Sequence, residues 1–384
     1  MPELRYDGQQ DTQRMTREKR ILVVLPTWVG DFVMATPALR AIRGRFPDAD
    51  ITFLMNSNLR ELVEGGDWMD ECIEWPPGSW GELRRTLRSR RFELAVVLPN
   101  SFRSAFIAWL SGAKQRVGYS RDGRSFLLTD PIEVRNRVPR WWELHDGSTI
   151  KMGARLPARL APYRPTPLVD YYADLAEAIG CERPDDRLEL FTTPPCEAAI
   201  RRRLGSGPGS RGPTIVISPG AKFGASKCWM PQRYAEVADR LVEARDATIS
   251  VTCGPREESI ARTIGSAMRK PAVVMDDPLL SLGELKSLIR RCDLWIGNDA
   301  GPRHIAKAFG VPVVTVFGPT HPDWTSTSYP NERIVRIDVD CGPCQQRICP
   351  LGHHQCMTGV TADAVFDVAD ALLKARTKEN VAAR

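Results

Sequence analysis

The chain has 384 residues, 42% of them hydrophobic and 26% charged, an ordinary composition for a folded protein with room for two domains. Its net charge of +6 suits an anionic substrate or membrane surface and does not call for nucleic acid, which is not an expected partner. No apolar run is long enough to cross a bilayer, which excludes a transmembrane helix.

Residues 1–19 are polar and charged without the apolar core of a secretory signal, and the expectation is a disordered tail. The ordered chain opens with Ile21-Leu-Val-Val-Leu25, a continuous apolar run typical of a central parallel strand. A helix over 31–44, strands over 51–55 and 94–98, and a helix over 101–111 follow. That alternation predicts a parallel sheet covered on both faces, a Rossmann-like lobe over 20–204. Residues 120–167, rich in Arg, Pro and Trp, break the rhythm and read as a surface excursion before a helix over 168–179. The segment 205–213, mostly Gly, Ser and Pro, reads as a linker. Beyond it come strands over 214–218, 248–253, 272–275, 294–296 and 311–317, with helices over 231–244, 257–268, 282–291 and 302–309. These make a second lobe over 214–360, closed by a helix over 362–374 within the tail segment 361–384. The fold class is α/β: two Rossmann-like lobes with parallel sheets and a cleft between them, a common place for a ligand.

Four loops carry chemistry. Ile296-Gly-Asn-Asp-Ala-Gly-Pro-Arg-His304 ends a buried strand, turns tightly and starts a helix, whose unpaired N–H groups and dipole suit a phosphate. Asp299 and His304 stand beside that cradle, although an ordinary strand–helix turn fits the same residues. Pro26-Thr-Trp-Val-Gly-Asp31 follows the first strand and lacks the dinucleotide glycine fingerprint. Asp31 reads either as an acid complementing a helix dipole or as a general base at the cleft. Ser218-Pro-Gly220-Ala-Lys222 with Ser226-Lys227 is a small-residue loop with two lysines; it is either a phosphate loop or a solvated one. Glu257 and Glu258 follow a strand end, where acids meet ribose hydroxyls or simply open a helix.

In this order the loops P-x-x-x-G-D-x-x-x-x-T-P, S-P-G-A-x-x-x-x-x-K-x-W, G-x-x-E-E and G-N-D-A-G-x-x-H resemble the ADP-heptose:lipopolysaccharide heptosyltransferases over about residues 20 to 375. Asn100-Ser-Phe-Arg103, Arg116-Val-Gly118 and the late cysteine loop resemble the second-heptose branch of that family. The resemblance implies a GT-B enzyme that inverts at the anomeric carbon without a metal or other cofactor. Its donor would be ADP-heptose and its acceptor the heptose of the lipopolysaccharide inner core, Kdo2-lipid A carrying one heptose. It would work in the cytoplasm, peripheral to the inner face of the inner membrane. Residue by residue, it implies Asp31 as base and Lys227 and His304 beside the leaving diphosphate. The donor would meet Ser218, Gly220, Lys222, Glu257, Glu258, Leu280, Asp299, Ala300 and Gly301. The acceptor would meet Gly30, Thr36, Arg103 and Arg116. Ala300 leaves only main-chain N–H groups for phosphate at its position.

Cys341, Cys344, Cys349 and Cys356, with His353 and His354 between the last two, suit zinc by type but not by spacing. Reduced thiols packing a loop and a reversible disulfide are the alternatives. Arg84 to Arg91 is a solvated helix face or a contact for anionic lipid. Two other functions remain open: a different nucleotide-sugar transferase or epimerase of this architecture, and a redox or metal-binding protein centred on the cysteines.

Overall fold

A computed structural model of the chain describes residues 19–75, 79–133, 165–205 and 212–382. The expected tail, most of the 120–167 excursion and the middle of the linker lie outside the described residues.

In the first lobe the order is β1 (Arg20–Val24), α1 (Val29–Arg45), β2 (Asp50–Asn56), α2 (Arg60–Val63), β3 (Glu71–Trp75) and α3 (Trp80–Arg90). Then come β4 (Leu94–Val97), α4 (Phe102–Ser111), β5 (Gln115–Tyr119), β6 (Asp130–Ile132), α5 (Leu168–Ala178) and α6 (Pro194–Leu204). The second lobe runs β7 (Thr214–Ser218), α7 (Pro231–Arg245), β8 (Thr248–Thr252), α8 (Glu258–Ala267), β9 (Ala272–Met275) and α9 (Leu282–Arg290). It ends with β10 (Leu294–Asn298), α10 (Gly301–Ala308), β11 (Val313–Val316), β12 (Glu332–Val335), α11 (Gln355–Thr358) and α12 (Ala362–Ala382).

Both sheets are parallel and six-stranded, ordered β3-β2-β1-β4-β5-β6 and β12-β11-β10-β7-β8-β9. The strand order reverses beside β1 in one lobe and between β7 and β10 in the other. Such switch points open crevices at the carboxyl ends of strands, where α/β proteins place ligands. Central strands are buried on both faces, as their uninterrupted apolar runs require; Ile21, Leu22 and Val23 are fully buried. Local chemistry sets the helix ends: the Ser79 and Ser101 hydroxyls accept from Glu82 N and Ser104 N, and Ser281 with Glu284 forms a capping box.

The lobes are not separate beads. One apolar core runs from α1 and α5 through to Leu288, Ile289, Trp295, Ile305 and Val313 of the second lobe. Although α6 precedes the linker, it docks on that lobe: Glu197 pairs with Arg291, and Arg203 Nη1 donates to Pro278 O at 2.7 Å. At the other end α12 buries Val365, Ala369 and Leu372 in the second lobe's own core. No described helix is long and apolar enough to cross a membrane.

Candidate active site

Helices α1 and α10 meet end to end at the carboxyl edges of the two sheets. A Cβ on Gly30 would stand 3.1 Å from His304 Cδ2, and one on Gly301 would stand 2.8 Å from Val29 Cβ. Glycine at both positions is what lets the two helix starts approach this closely. Neither Trp28 nor Ala300 caps its helix with a side chain, so two positive helix ends converge on one spot. An anion is the natural occupant of such a spot.

Asp31 sits in the first turn of α1, half-buried at this junction. Burial pushes its pKa up to about 6, against the pull of Lys227 and with a further push from Asp299. A carboxylate with that pKa is ionised at neutral pH yet basic enough to take a proton. Tyr172 of α5 is buried within electrostatic reach of it.

Opposite stands a chain of buried charges. Lys227 Nζ lies 2.5 Å from Asp299 Oδ2 and donates to Asp299 O at 3.2 Å. Arg303 Nη1 reaches Asp299 Oδ1 at 3.0 Å, while Thr320 donates to Oδ2 at 3.0 Å. Arg303 also forks onto Glu332 at 2.5 and 3.0 Å, and Lys307 Nζ is 2.7 Å from the same carboxylate. Burial opposes the charge on both acids; for Asp299, Lys227 and Arg303 hold the pKa below the ordinary range. Arg303 and Lys307 bring Glu332 down to about 2. Three cations against two carboxylates leave a net positive charge behind α10. His304 is buried among them, and burial followed by repulsion from Arg303, Lys307 and Lys227 holds its pKa well below normal. The imidazole is therefore neutral, its Nδ1 without a hydrogen-bond partner. It offers a hydrogen bond and not a charge, so the cation at this edge is Lys227.

The remaining donor-side residues flank this centre. The Glu257 carboxylate lies directly over Gly220 and accepts from Gly254 N at 2.9 Å, while Glu258 opens α8. The Ser218 hydroxyl is committed inward to Thr252 at 2.8 Å and Trp295 Nε1 at 3.0 Å. Lys222 is exposed, with its ammonium 5.5 Å from the Trp28 ring of the other lobe. Leu280 is half-buried against the core shared by the lobes. Asn298 holds the lysine loop to β10: Nδ2 donates to Pro219 O at 2.5 Å, and Oδ1 accepts from Trp229 N at 3.2 Å and Tyr234 OH at 2.9 Å.

The cysteine loop braces the same loop from outside. Ser226 N donates to Arg347 O at 3.1 Å, Ser226 Oγ to Gln346 O at 2.5 Å, and His354 Nε2 to Ser226 O at 2.7 Å. All ten cysteines are free thiols, with Cys344 and Cys356 buried. Cys341 Sγ lies 3.9 Å from His353 Nε2, and Cys349 Sγ accepts from His354 N at 3.4 Å. Among the described residues no three His, Cys, Asp or Glu side chains are grouped to hold a metal ion.

Two expected acceptor contacts are corrected. Thr36 is fully buried: its hydroxyl donates to Val33 O at 2.7 Å and accepts from Glu189 N at 3.1 Å, so it ties α1 to the following chain. Arg116 lies at the amino end of β5, the edge away from the junction, and donates to Leu127 O at 2.8 Å and Ala113 O at 2.7 Å. Arg103 is exposed in the first turn of α4, at the carboxyl end of β4, with its guanidinium 5.8 Å from the Trp80 ring. Arg124, unremarked in the sequence, is fully buried and organises this side. It donates to Tyr119 O at 2.9 Å, to Ser101 O at 3.1 Å and to Ser104 Oγ at 3.0 Å. Burial lowers its pKa to about 10. Tyr171 OH donates to Asn100 Oδ1 at 2.5 Å in the same corner.

Comparison with known proteins gives the family and the fold. The model of glycosyltransferase family 9 (heptosyltransferase) matches residues 80–355. Lipopolysaccharide heptosyltransferase 2 of Escherichia coli (strain K12) is 27% identical, across 92% of this chain and 98% of that protein. The solved E. coli ADP-heptose LPS heptosyltransferase II superposes with a TM-score of 0.71 at 26% identity, covering 93% of this chain and 99% of that one. A family 9 glycosyltransferase of Veillonella parvula, 21% identical, shares the fold at a TM-score of 0.73 over 92% and 97% of the two chains. The fold is GT-B, and the chain is a glycosyltransferase that belongs to family 9, the heptosyltransferases.

Proposed function

We propose that the protein transfers L-glycero-D-manno-heptose from ADP-heptose to the heptose of the lipopolysaccharide inner core, with inversion at the anomeric carbon. The observation that carries this reading is Asp31: a carboxylate with its pKa raised to about 6, set where two uncapped helix ends and Lys227 converge. Asp31 takes the proton of the acceptor hydroxyl as that oxygen bonds to the anomeric carbon. The bond from that carbon to the diphosphate oxygen breaks, and ADP leaves with the electron pair. Lys227 and the α10 amides Gly301 and His304 meet the charge gathering on ADP, with the His304 ring adding a neutral donor. Asp299, saturated by its partners, positions Lys227 and does not itself face a ligand. Glu257, Glu258 and Leu280 flank the nucleoside, Ser218 and Gly220 contribute main chain, and Gly30 and Arg103 line the acceptor side. The names of the family relatives and of the solved E. coli enzyme support both substrates. The acceptor is anchored in lipid, so the protein works peripherally on the inner face of the inner membrane, in the cytoplasm.

The test is turnover with purified protein and a heptose-bearing inner-core acceptor, offered ADP-heptose beside UDP- and GDP-sugars. ADP-heptose alone should give the extended core. Equal product from a UDP- or GDP-sugar, or none from ADP-heptose, overturns the assignment.

A further inference from the structure

The first lobe carries an aromatic face that the transfer chemistry does not use. Trp80, Phe102, Trp109 and Phe126 are 48%, 47%, 44% and 73% exposed. They are not scattered, for all gather about Phe106. Trp80 and Trp109 lie 5.4 and 5.6 Å from its ring, and Phe102 stacks on it at 6.5 Å while touching Phe126 at 6.0 Å. A contiguous exposed patch of large rings marks a contact surface.

Cations surround these rings. Arg84, Arg85, Arg88 and Arg91 are exposed along α3, which packs beside α4 through Arg88 Nε and Leu110 O at 3.3 Å. Arg103 and Lys114 flank α4 at its two ends. Residues 80–126 hold ten Lys and Arg against three Asp and Glu, an excess larger than the net +6 of the whole chain. Of the ten, Arg116 and Arg124 are engaged by main-chain carbonyls as described above, Arg88 reaches Leu110 O, and Arg90 pairs with Glu71. Rings that sit at headgroup depth, with guanidinium groups reaching lipid phosphates, are the chemistry of a bilayer interface. A planar anionic surface also fits the breadth of the charge, which spreads over two helices without an acidic counterpart face.

The face also points the right way. Helix α4 begins directly after β4, so Phe102 lies at the same sheet edge as Asp31. We propose that this face docks the protein on an anionic phospholipid bilayer, with Phe126, Phe102, Trp80 and Trp109 entering the headgroup region and the α3 arginines pairing with lipid phosphates. Its purpose rests on the lipid-anchored acceptor proposed above; the docking itself needs no sugar.

Co-sedimentation of the full chain with vesicles tests it. The wild type should pellet with phosphatidylcholine vesicles containing phosphatidylglycerol and stay in solution with phosphatidylcholine alone. Trp109→Ser with Phe126→Ser, and separately Arg84→Glu with Arg85→Glu, should each weaken vesicle binding by at least about tenfold. Turnover on a water-soluble, delipidated heptose acceptor should stay unchanged. Quenching of wild-type tryptophan fluorescence by brominated lipid reads insertion without any substitution. Wild-type-like vesicle binding by either variant overturns the proposal, as does a wild type that neither pellets nor is quenched. A variant that instead turns a dimer into a monomer would assign the face to a second copy of the chain. Failure of heptose transfer with vesicle binding intact would sink the proposed reaction alone.

Discussion

The two edges of the junction treat their carboxylates in opposite ways. On the donor edge Asp299 and Glu332 are deeply buried but saturated by Lys227, Arg303, Lys307 and Thr320, and both are held in the ionised form. On the acceptor edge Asp31 has no hydrogen bond or ion pair among the described residues, and burial raises its pKa to about 6. Paired carboxylates build a rigid positive wall, whereas the unpaired one is left reactive. The carboxylate left without a partner thus stands where the proposed chemistry needs a base.

The sharpest way to break this contrast is Asp31→Asn. Turnover should fall by roughly 10²–10⁴-fold with little change in donor affinity. The folded state favours protonated Asp31, so its carboxylate costs stability as pH rises through about 6. At neutral pH the asparagine variant should therefore melt no lower than the wild type, and gain up to about 3 kcal/mol. A variant that is both inactive and destabilised would mean that Asp31 is a structural acid.

Lys227→Ala comes next. It removes the cation facing the diphosphate and leaves Asp299 underpaired, so transfer should slow by roughly 10²–10³-fold. Donor binding should weaken more for the ADP-sugar than for adenosine. His304→Ala, which removes a neutral donor, should cost only about tenfold. Equal weakening toward adenosine would point to loop collapse.

Glu332→Gln probes the donor edge through stability. It strands Arg303 and Lys307 in the interior, a loss of about 3–5 kcal/mol measured by chemical denaturation. In the wild type this carboxylate's contribution is present above the ordinary glutamate range and is lost as pH falls through about 2. A variant as stable as wild type would show that the network carries no such burden.

The smallest effect belongs to the cysteine loop. Cys344→Ser should lower the melting temperature by a few degrees, about 1–2 kcal/mol, and turnover by less, because the loop braces Ser226 and not the reacting atoms. Chelator treatment should leave initial rates unchanged. Rapid loss of activity on chelation, restored by zinc, would move the cysteines into the active site.

Much of the fold was readable because central strands are uninterrupted apolar runs; β7 and β9 begin and end where the pattern places them. Strands β3, β5, β6 and β12 were missed, since Glu71–Trp75, Gln115–Tyr119, Asp130–Ile132 and Glu332–Val335 lack a continuous apolar run. The site divides in the same way. Gly30, Asp31, Lys227, Gly301 and His304 lie in short motifs, and the fold brings them to one junction. Glu332 and Arg124 carry no local signal, because their roles exist only through partners distant in sequence. Thr36 and Arg116 looked like ligand contacts because a hydroxyl in a loop motif and an arginine near a glycine say nothing about which way they face.

The most direct test of the account is the pH dependence of kcat/KM, which reports the groups of the unliganded enzyme. The account predicts a limb falling about tenfold per pH step below about pH 6, and a flat residual rate for Asp31→Asn across the same range. A wild-type limb breaking near 4, where an ordinary carboxylate titrates, or a limb that persists in the variant, would contradict it.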